Sequence, residues 1–555
     1  MTVPKKNDVL PLTIKSLGLN GEGIARLEGQ VVFVAGGLPG EVCDVQLLKV
    51  GRSAIWGKAL RASTPSPDRI ASDCPYFPRC GGCQFRHMTY AAELEAKRRR
   101  VEDALRRIGG LDLPVPVILG AKHISRYRNK VQLPIAPGPG GPKIGFFRAR
   151  SHDVVDVADC LLQPETAAAL AGALRCWVRA YGVPVYEERT HQGLLRHLFL
   201  RFSRSSVLCC LVVNGESLPH EEELVAALRA AAPGLTGVVL SVNRERTNVV
   251  LGPSYRTLWG VDFLDDTLCG LTFRISVPSF YQVNRDQCEI LYQKAVELAG
   301  LTGHETVLDL YCGIGTISLV MAQQAGRVIG AEIVPAAVED ARANARRNGI
   351  ANAEFFCGDA ANAARRFAEE CLRPDVICVD PPRKGLALEV IDAMVQMAPA
   401  RMIYVSCDPA TLARDLARLS ERGYQSQKAL AVDMFPRTAH VETVVLLSHK
   451  KPDSYIHIDV EFGEGEGKIP VDKIVQRAEQ YKPKERVTYK RIKEYILEKY
   501  GFKVHTAYIA EVKRSLGLPM YDAPNAVEKL KQARKHPTPE KVEAIKDALH
   551  YFAVI

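Results

Sequence analysis

ETVLDLYCGIGT, residues 305–316, is an apolar run that breaks into a glycine-rich turn and continues into helix-forming residues. Outward from it, RVIGAEI (327–333), AEFFCGD (353–359), DVICVDPP (375–382) and MIYVSCD (402–408) read as further short strands separated by helical stretches. Two more strands close the region before residue 449. Strands alternating with helices predict a doubly wound parallel sheet over 301–449.

In such a sheet the glycines of the first turn let the backbone pass close to a ligand at the carboxyl ends of the strands. The next strand ends on Glu332, whose carboxylate can accept both hydroxyls of a ribose, and the third ends on Asp359, beside the expected adenine edge. G-x-G-x-x-G is absent and the strand tips are acidic. The pattern resembles class I methyltransferases more than dinucleotide dehydrogenases, which implies S-adenosylmethionine as methyl donor.

The rest of the chain organises around this domain. With 555 residues, 47% of them hydrophobic, one core is too few. QVVFVA and EVCDVQLLKV, divided by GLNGEG and GGLPGE turns, predict a small antiparallel β-barrel over 1–63, OB-like in kind, which TPSPDR ends. A cysteine-rich knot and a basic helix, AAELEAKRRRVEDALRRIGG, stopped by Gly109 and Gly110, open an α+β central domain over 64–300. Residues 450–555 are expected to form a helical extension. There Thr488 and Thr506 are expected N-caps, and Gly501 and Gly517 helix stops. Two uses of this tail stay open: a helix-turn-helix-like unit touching RNA, or a small helical cap.

A formal charge of +10 suits a polyanionic partner such as RNA. The opening MTVPKKNDVL lacks a secretory apolar stretch, and no run of about eighteen apolar residues occurs, so a cytoplasmic protein without membrane contact is expected. The 15 cysteines should then be reduced, with metal or catalytic duties rather than disulfides.

A cysteine at a strand tip beside a methyl-donor pocket suits methylation of uracil through a covalent adduct. Carbon 5 of uracil is a poor nucleophile until a thiolate adds at carbon 6. After methyl transfer a base must remove the carbon 5 proton so that the thiolate can leave. YVSCDP (404–409) supplies the cysteine, and DMFPRTAHVE (433–442) carries a carboxylate toward a later strand.

With SFYQVN (279–284), DLYCGIG (309–315) and DPPRKG (380–385), these motifs closely resemble the RNA uracil-5-methyltransferase family over nearly all of residues 1–448. The resemblance implies Cys407 as nucleophile and Glu442 as base. It places Gln282, Tyr311, Thr316, Glu332, Asp359 and Asp380 around the cofactor, and Phe280 against the extruded uracil. Thr316 and Asp408 stand where family members often have asparagine.

Cys74-x5-Cys80-x2-Cys83 brings three thiolates together on one loop. A fourth is needed for tetrahedral zinc or for a cubane, and Cys160 is the candidate. The arrangement resembles the [4Fe-4S] site of the family's ribosomal RNA branch, and the N-terminal segment resembles the TRAM RNA-binding barrel. Since methylation is redox-neutral, such a cluster would hold the loop in place. Arg126, Arg128 and Lys130 are expected to contact phosphates.

The expected function is therefore that of a monomeric 23S rRNA (uracil-C5)-methyltransferase. Transfer RNA is the alternative substrate, and an RNA-binding iron–sulfur scaffold the non-catalytic one. Radical-type methylthiotransferases also join a TRAM barrel to a cluster, but their C-x3-C-x2-C spacing is missing here.

Overall fold

The computed structural model describes residues 4–449, 489–516 and 537–552, and the chain forms two compact units, Met1–Asp453 and Ser454–Ile555. In the first unit an eight-stranded sheet runs in the order Ala353–Cys357, Arg327–Glu332, Thr306–Leu310, Val376–Val379, Arg401–Ser406, Glu442–His449, Tyr424–Val432, Ile118–Leu119. The first five strands are parallel, as alternation with helices predicts. The wholly parallel expectation is corrected at Glu442–His449, which runs antiparallel between its two neighbours. The chain returns from Tyr424–Val432 through a short connection with no crossover helix, and such a return must reverse direction.

Both faces of this sheet are covered, so Val376–Val379 is buried throughout rather than alternating. On one face Val307, Val328 and Ile403 meet Leu291, Ile317 and Val338; on the other, Leu308, Ile377 and Met402 meet Leu105, Phe367 and Leu412. Two covering helices, Tyr90–Arg107 and Arg285–Ala299, come from before residue 301. Strand order reverses beside Thr306–Leu310, and the glycine-rich turn lies at that switch point, where open α/β sheets bind ligands.

The central region is a seven-stranded sheet with helices Glu165–Tyr181 and Glu221–Ala231 packed on one face through Leu170, Leu174, Leu224 and Leu228. Its other face packs through Phe199 and Cys210 against Leu264 and Val277, in and just after the hairpin of Phe263–Leu268 and Leu271–Ser276. In RYRNKVQLPI the strand begins only at Lys130, so Arg126 to Asn129 form a loop.

At the N-terminus, six strands enclose Leu12, Val32, Val45 and Ile55. The antiparallel expectation is corrected at one pair, since Gln30–Ala35 runs parallel to Ala54–Thr64. Val42–Val50 lies between them in the chain and pairs antiparallel with Ala54–Thr64; two reversals restore the direction. Buried Glu41 fastens the barrel to the next segment, accepting from Leu38 N (2.8 Å), Ser66 N (3.1 Å) and the Arg69 guanidinium (2.6 Å).

The second unit contains helices Tyr489–Tyr500, Thr506–Ser515 and Pro539–Tyr551 around Ile496, Ile509, Ile545 and Leu549. Gly501, at φ 74°, ends the first helix as expected. The second is capped one residue earlier than expected: His505 Nδ1 accepts from Ala507 N at 3.2 Å, and Thr506 is the first helical residue. Thr488 and Gly517 lie outside the described residues. Among those described, no helix is long and apolar enough to cross a membrane.

Candidate active site

Residues 311–315 leave the first strand at the sheet's switch point, and the turn demands unusual backbone. Tyr311 has φ 77°, a conformation costly for a bulky side chain, and Gly315 has φ 81°. A side chain at Gly315 would also meet Ala341 Cβ and the Phe355 ring at 3.1 Å, so glycine is required there on two grounds. Glu332 braces this turn from the neighbouring strand, accepting from Gly313 N (3.1 Å) and Val334 N (2.9 Å). Thr316 opens the following helix with its hydroxyl 2.9 Å from Tyr292 Oη. Asp359 Oδ1 caps the helix Ala360–Glu369 through Ala361 N (3.0 Å) while the residue stays exposed.

Acidic groups crowd the floor of this pocket. Burial pushes the Asp309 carboxyl up to about 7, against a hydrogen bond from Ser318 that favours the anion. Burial pushes Asp380 up to about 7 as well. Such a pocket, walled by carboxyls and a tight backbone turn, suits a ligand bearing positive charge and ribose hydroxyls.

The antiparallel strand supplies the second half of the site. Ser406 pairs with Thr443, so Cys407 and Glu442 are the next residues across from one another. Burial, with Glu442 and then Asp380 nearby, pushes the Cys407 thiol up to about 11; Arg383 opposes this. Glu442 is 2% exposed, and burial together with Asp380 holds its carboxyl well above the usual range, Arg383 again opposing. Thiol, carboxyl and guanidinium thus share one electrostatic neighbourhood. Asp408 caps the helix Pro409–Ser420 through Ala410 N (2.9 Å) and Thr411 N (3.0 Å), a task for which aspartate and asparagine serve equally.

SFYQVN is anchored at three points. Ser279 Oγ donates to Asp340 (3.0 Å), Tyr281 Oη donates to Asp266 (3.2 Å), and the Gln282 carbonyl accepts from Asn129 Nδ2 (2.8 Å). Phe280, between these anchors, is 62% exposed. Lys130 lies 5.9 Å from its ring, with burial lowering the ammonium to about 8. Arg128 sits beside Tyr127 with its Nε buried and unpartnered. Arg126 differs from the expectation of a free phosphate contact. Its guanidinium is engaged by Asp159 (2.6 and 2.7 Å) and by the carbonyls of Cys160 (3.0 Å) and Gln163 (2.9 Å).

Cys74, Cys80, Cys83 and Cys160 are brought into mutual electrostatic reach. Cys160 raises both Cys80 and Cys83, and Cys74 raises both Cys80 and Cys160. Among the described residues no three Cys, His, Asp or Glu side chains close on one point as around a single ion. A cubane places each thiolate on a different iron, so four sulfurs near one another but not convergent on one point fit it.

Residues 260–450 match the family described as tRNA (Uracil-5-)-methyltransferase, and residues 5–59 match the TRAM domain. An uncharacterized RNA methyltransferase of Clostridium tetani is 43% identical over 80% of this chain and 97% of its own. The chain belongs to the RNA uracil-5-methyltransferase family. Another relative, an uncharacterized RNA methyltransferase of Halalkalibacterium halodurans, is 43% identical over 80% of this chain and 98% of its own. Among solved structures, the Pyrococcus abyssi tRNA (uracil-54, C5)-methyltransferase in complex with S-adenosyl-L-homocysteine superposes with a TM-score of 0.64. It is 27% identical and covers 79% of this chain and all of that one. This chain is accordingly an RNA methyltransferase.

Its site includes residues that the motifs alone do not single out. Arg383 lies inside DPPRKG and Arg100 inside the basic helix, where each reads as one more surface cation. Here Arg100 bonds the Ala439 carbonyl, and Arg383, Arg100 and Arg128 all face His440, whose imidazole burial and these cations lower to about 4. Behind them Lys97 is 1% exposed and donates to Glu93 (2.7 Å) and Asp433 (2.6 Å). This buried network ties the helix Tyr90–Arg107 to the segment that carries Glu442.

Proposed function

We propose that this enzyme methylates carbon 5 of a uridine in 23S ribosomal RNA, with Cys407 as nucleophile and Glu442 as proton-abstracting base. The observation that carries the reading is the placement of Cys407 across from Glu442, beside Asp380 and Arg383, at the mouth of the cofactor pocket. Phe280, exposed between anchored neighbours, stacks on the extruded uracil, which cannot be reached inside a helix.

S-adenosylmethionine, when bound, supplies the electrophilic methyl; Glu332 takes its ribose hydroxyls, with Gln282, Tyr311, Thr316, Asp359 and Asp380 lining its site. Cys407 begins as a thiol, so it gives its proton to solvent water as its sulfur bonds to carbon 6 of the uracil. The electrons of the 5,6 double bond move into the ring as an enolate, and carbon 5 takes the methyl. Glu442 then removes the carbon 5 proton. The electrons of that bond restore the double bond and expel the Cys407 thiolate. A carboxylate held above its usual range is a stronger base for this step.

Cys74, Cys80, Cys83 and Cys160 would hold a [4Fe-4S] cluster that ties two separate segments of the central domain together. The barrel binds RNA alongside Arg128 and Lys130, and the enzyme acts as a cytoplasmic monomer. The ribosomal reading rests on the combination of barrel and four-cysteine site. A second reading, methylation of transfer RNA, is favoured by the named substrate of the P. abyssi enzyme. Mapping 5-methyluridine in a strain lacking this gene separates them. Loss from 23S RNA supports the first, loss from transfer RNA alone supports the second, and loss from neither overturns both.

A further inference from the structure

Away from the catalytic pocket, the central domain contains a cavity of about 1230 Å³. It opens on the sheet face that also carries Lys130, the neighbour of Phe280. Along the strand Lys130–Ala136, side chains of that face alternate, and Lys130, Gln132 and Pro134 pair across with Arg201, Phe199 and His197. Lys130 stands beside Phe280, Gln132 is exposed, and Pro134 and His197 line the cavity. Four residues of strand, roughly 13 Å, therefore separate Lys130, beside Phe280, from the cavity.

The lining is selective in its chemistry. Asp156 is paired with Arg175 and Asp153 with Arg189, Glu188 meets His152, and Glu187 makes no ion pair among the described residues. Arg79, Lys143, Arg148 and Arg246 make no ion pair among the described residues, so the rim has an excess of cations. Phe147, 38% exposed, offers a ring face beside His152. His197 has a buried Nδ1 with no partner and is held neutral by burial and Arg196. Free guanidinium groups around an exposed aromatic ring are the means by which proteins hold single-stranded nucleic acid. An acidic peptide would use the cations but would leave the ring unanswered.

We propose that this cavity is a second RNA site, which holds an unpaired nucleotide of the substrate strand a few positions from the target uridine, its base on Phe147 and its phosphates on Arg148 and Arg246. The inference rests on the RNA activity proposed above and deepens it. It also gives the cysteine loop a consequence for recognition. Arg79 adjoins Cys80, and Cys80 forms a β-bridge with Arg148, so ordering that loop positions one wall of the cavity.

The test uses the full chain and two probes. The first is a fluorescein-labelled single-stranded oligoribonucleotide without uridine, which reads the cavity independently of catalysis. Phe147→Ala and Arg246→Glu should each weaken its binding about tenfold, the scale of one lost stacking or charge contact. Arg373→Glu, an exposed control whose guanidinium meets only the neighbouring Leu372 carbonyl, should leave binding within about twofold of wild type on the same scale. The second probe is a methylatable transcript, for which both cavity variants should raise KM about tenfold with kcat and S-adenosylmethionine affinity unchanged. Wild-type binding by both cavity variants overturns the proposal, as does equal weakening by Arg373→Glu. If the wild type binds the oligonucleotide through the cavity but methylates no uridine, the cavity stands and the proposed activity falls.

Discussion

Cys407 and Glu442 face each other from adjacent antiparallel strands, one residue beyond the matched pair Ser406 and Thr443. The order of bond making separates their roles. Without the thiol no adduct forms, so Cys407→Ala should bind RNA yet give neither product nor covalent complex. Glu442→Gln should still add and methylate but stall at elimination. A methylated, denaturant-resistant protein–RNA adduct carrying label from the donor should accumulate on a denaturing gel. Normal turnover by either variant would show that the covalent route is misassigned.

The pH dependence of kcat/KM follows from the same pair. The thiolate is the reactive form, and burial with Glu442 pushes the thiol up to about 11, so kcat/KM for RNA should climb through the neutral range. Arg383 favours both anions. Arg383→Met should therefore move the rise to higher pH and lower neutral activity by about tenfold for each unit of displacement, whereas Arg383→Lys should recover much of it. An Arg383→Met profile parallel to wild type at every pH would remove this role.

Glu332 serves the pocket twice, as the expected partner of the ribose hydroxyls and as the brace of Gly313 N and Val334 N. Glu332→Ala should weaken S-adenosylmethionine by about 1.5 to 3 kcal/mol, the range of charge-assisted hydrogen bonds. Calorimetry reads this directly, and unchanged affinity would mean that the ribose is held elsewhere.

Glu41 makes the barrel acid-sensitive. Its burial alone would raise the carboxyl, but Arg69 and the Leu38 and Ser66 amides prevail and hold it at about 2, below the 4.5 of an unfolded chain. A depressed folded value means that the stabilisation is complete above the unfolded value and is lost as pH falls through about 2. It is worth about 3 kcal/mol at neutral pH. Hydrogen exchange in Val42–Val50 should be faster in Glu41→Gln at neutral pH, and the difference from wild type should vanish in acid.

The four cysteines make a compositional prediction. Anaerobically purified protein should be brown, with about four irons and four sulfides per chain. Stoichiometric zinc without iron would refute the cluster. Cys80→Ser should lose folding and RNA binding before chemistry, because the cysteine loop joins segments of the central domain rather than touching the uracil.

What was legible in the sequence was local. Strand and helix alternation from residue 305, the glycine turn, the carboxylates ending successive strands and the Cys74, Cys80 and Cys83 spacing each depend on residues within one or two turns of chain. Their backbone preferences specify them without help. The helix stops at Gly109, Gly110 and Gly501 were readable for the same reason.

Tertiary structure decided the rest, because it depends on groups hundreds of residues apart. Arg126, a basic residue in a basic stretch, becomes the clamp on Asp159 and the Cys160 carbonyl. Lys97, one cation in a charged helix, is buried against Asp433. Nothing local says that Glu442–His449 inserts antiparallel beside Arg401–Ser406, yet that insertion alone sets Glu442 opposite Cys407. Sequence determined which chemical groups this enzyme possesses and the strands that carry them. Burial and strand pairing, which act between distant segments, determined which of those groups meet and in what charge state.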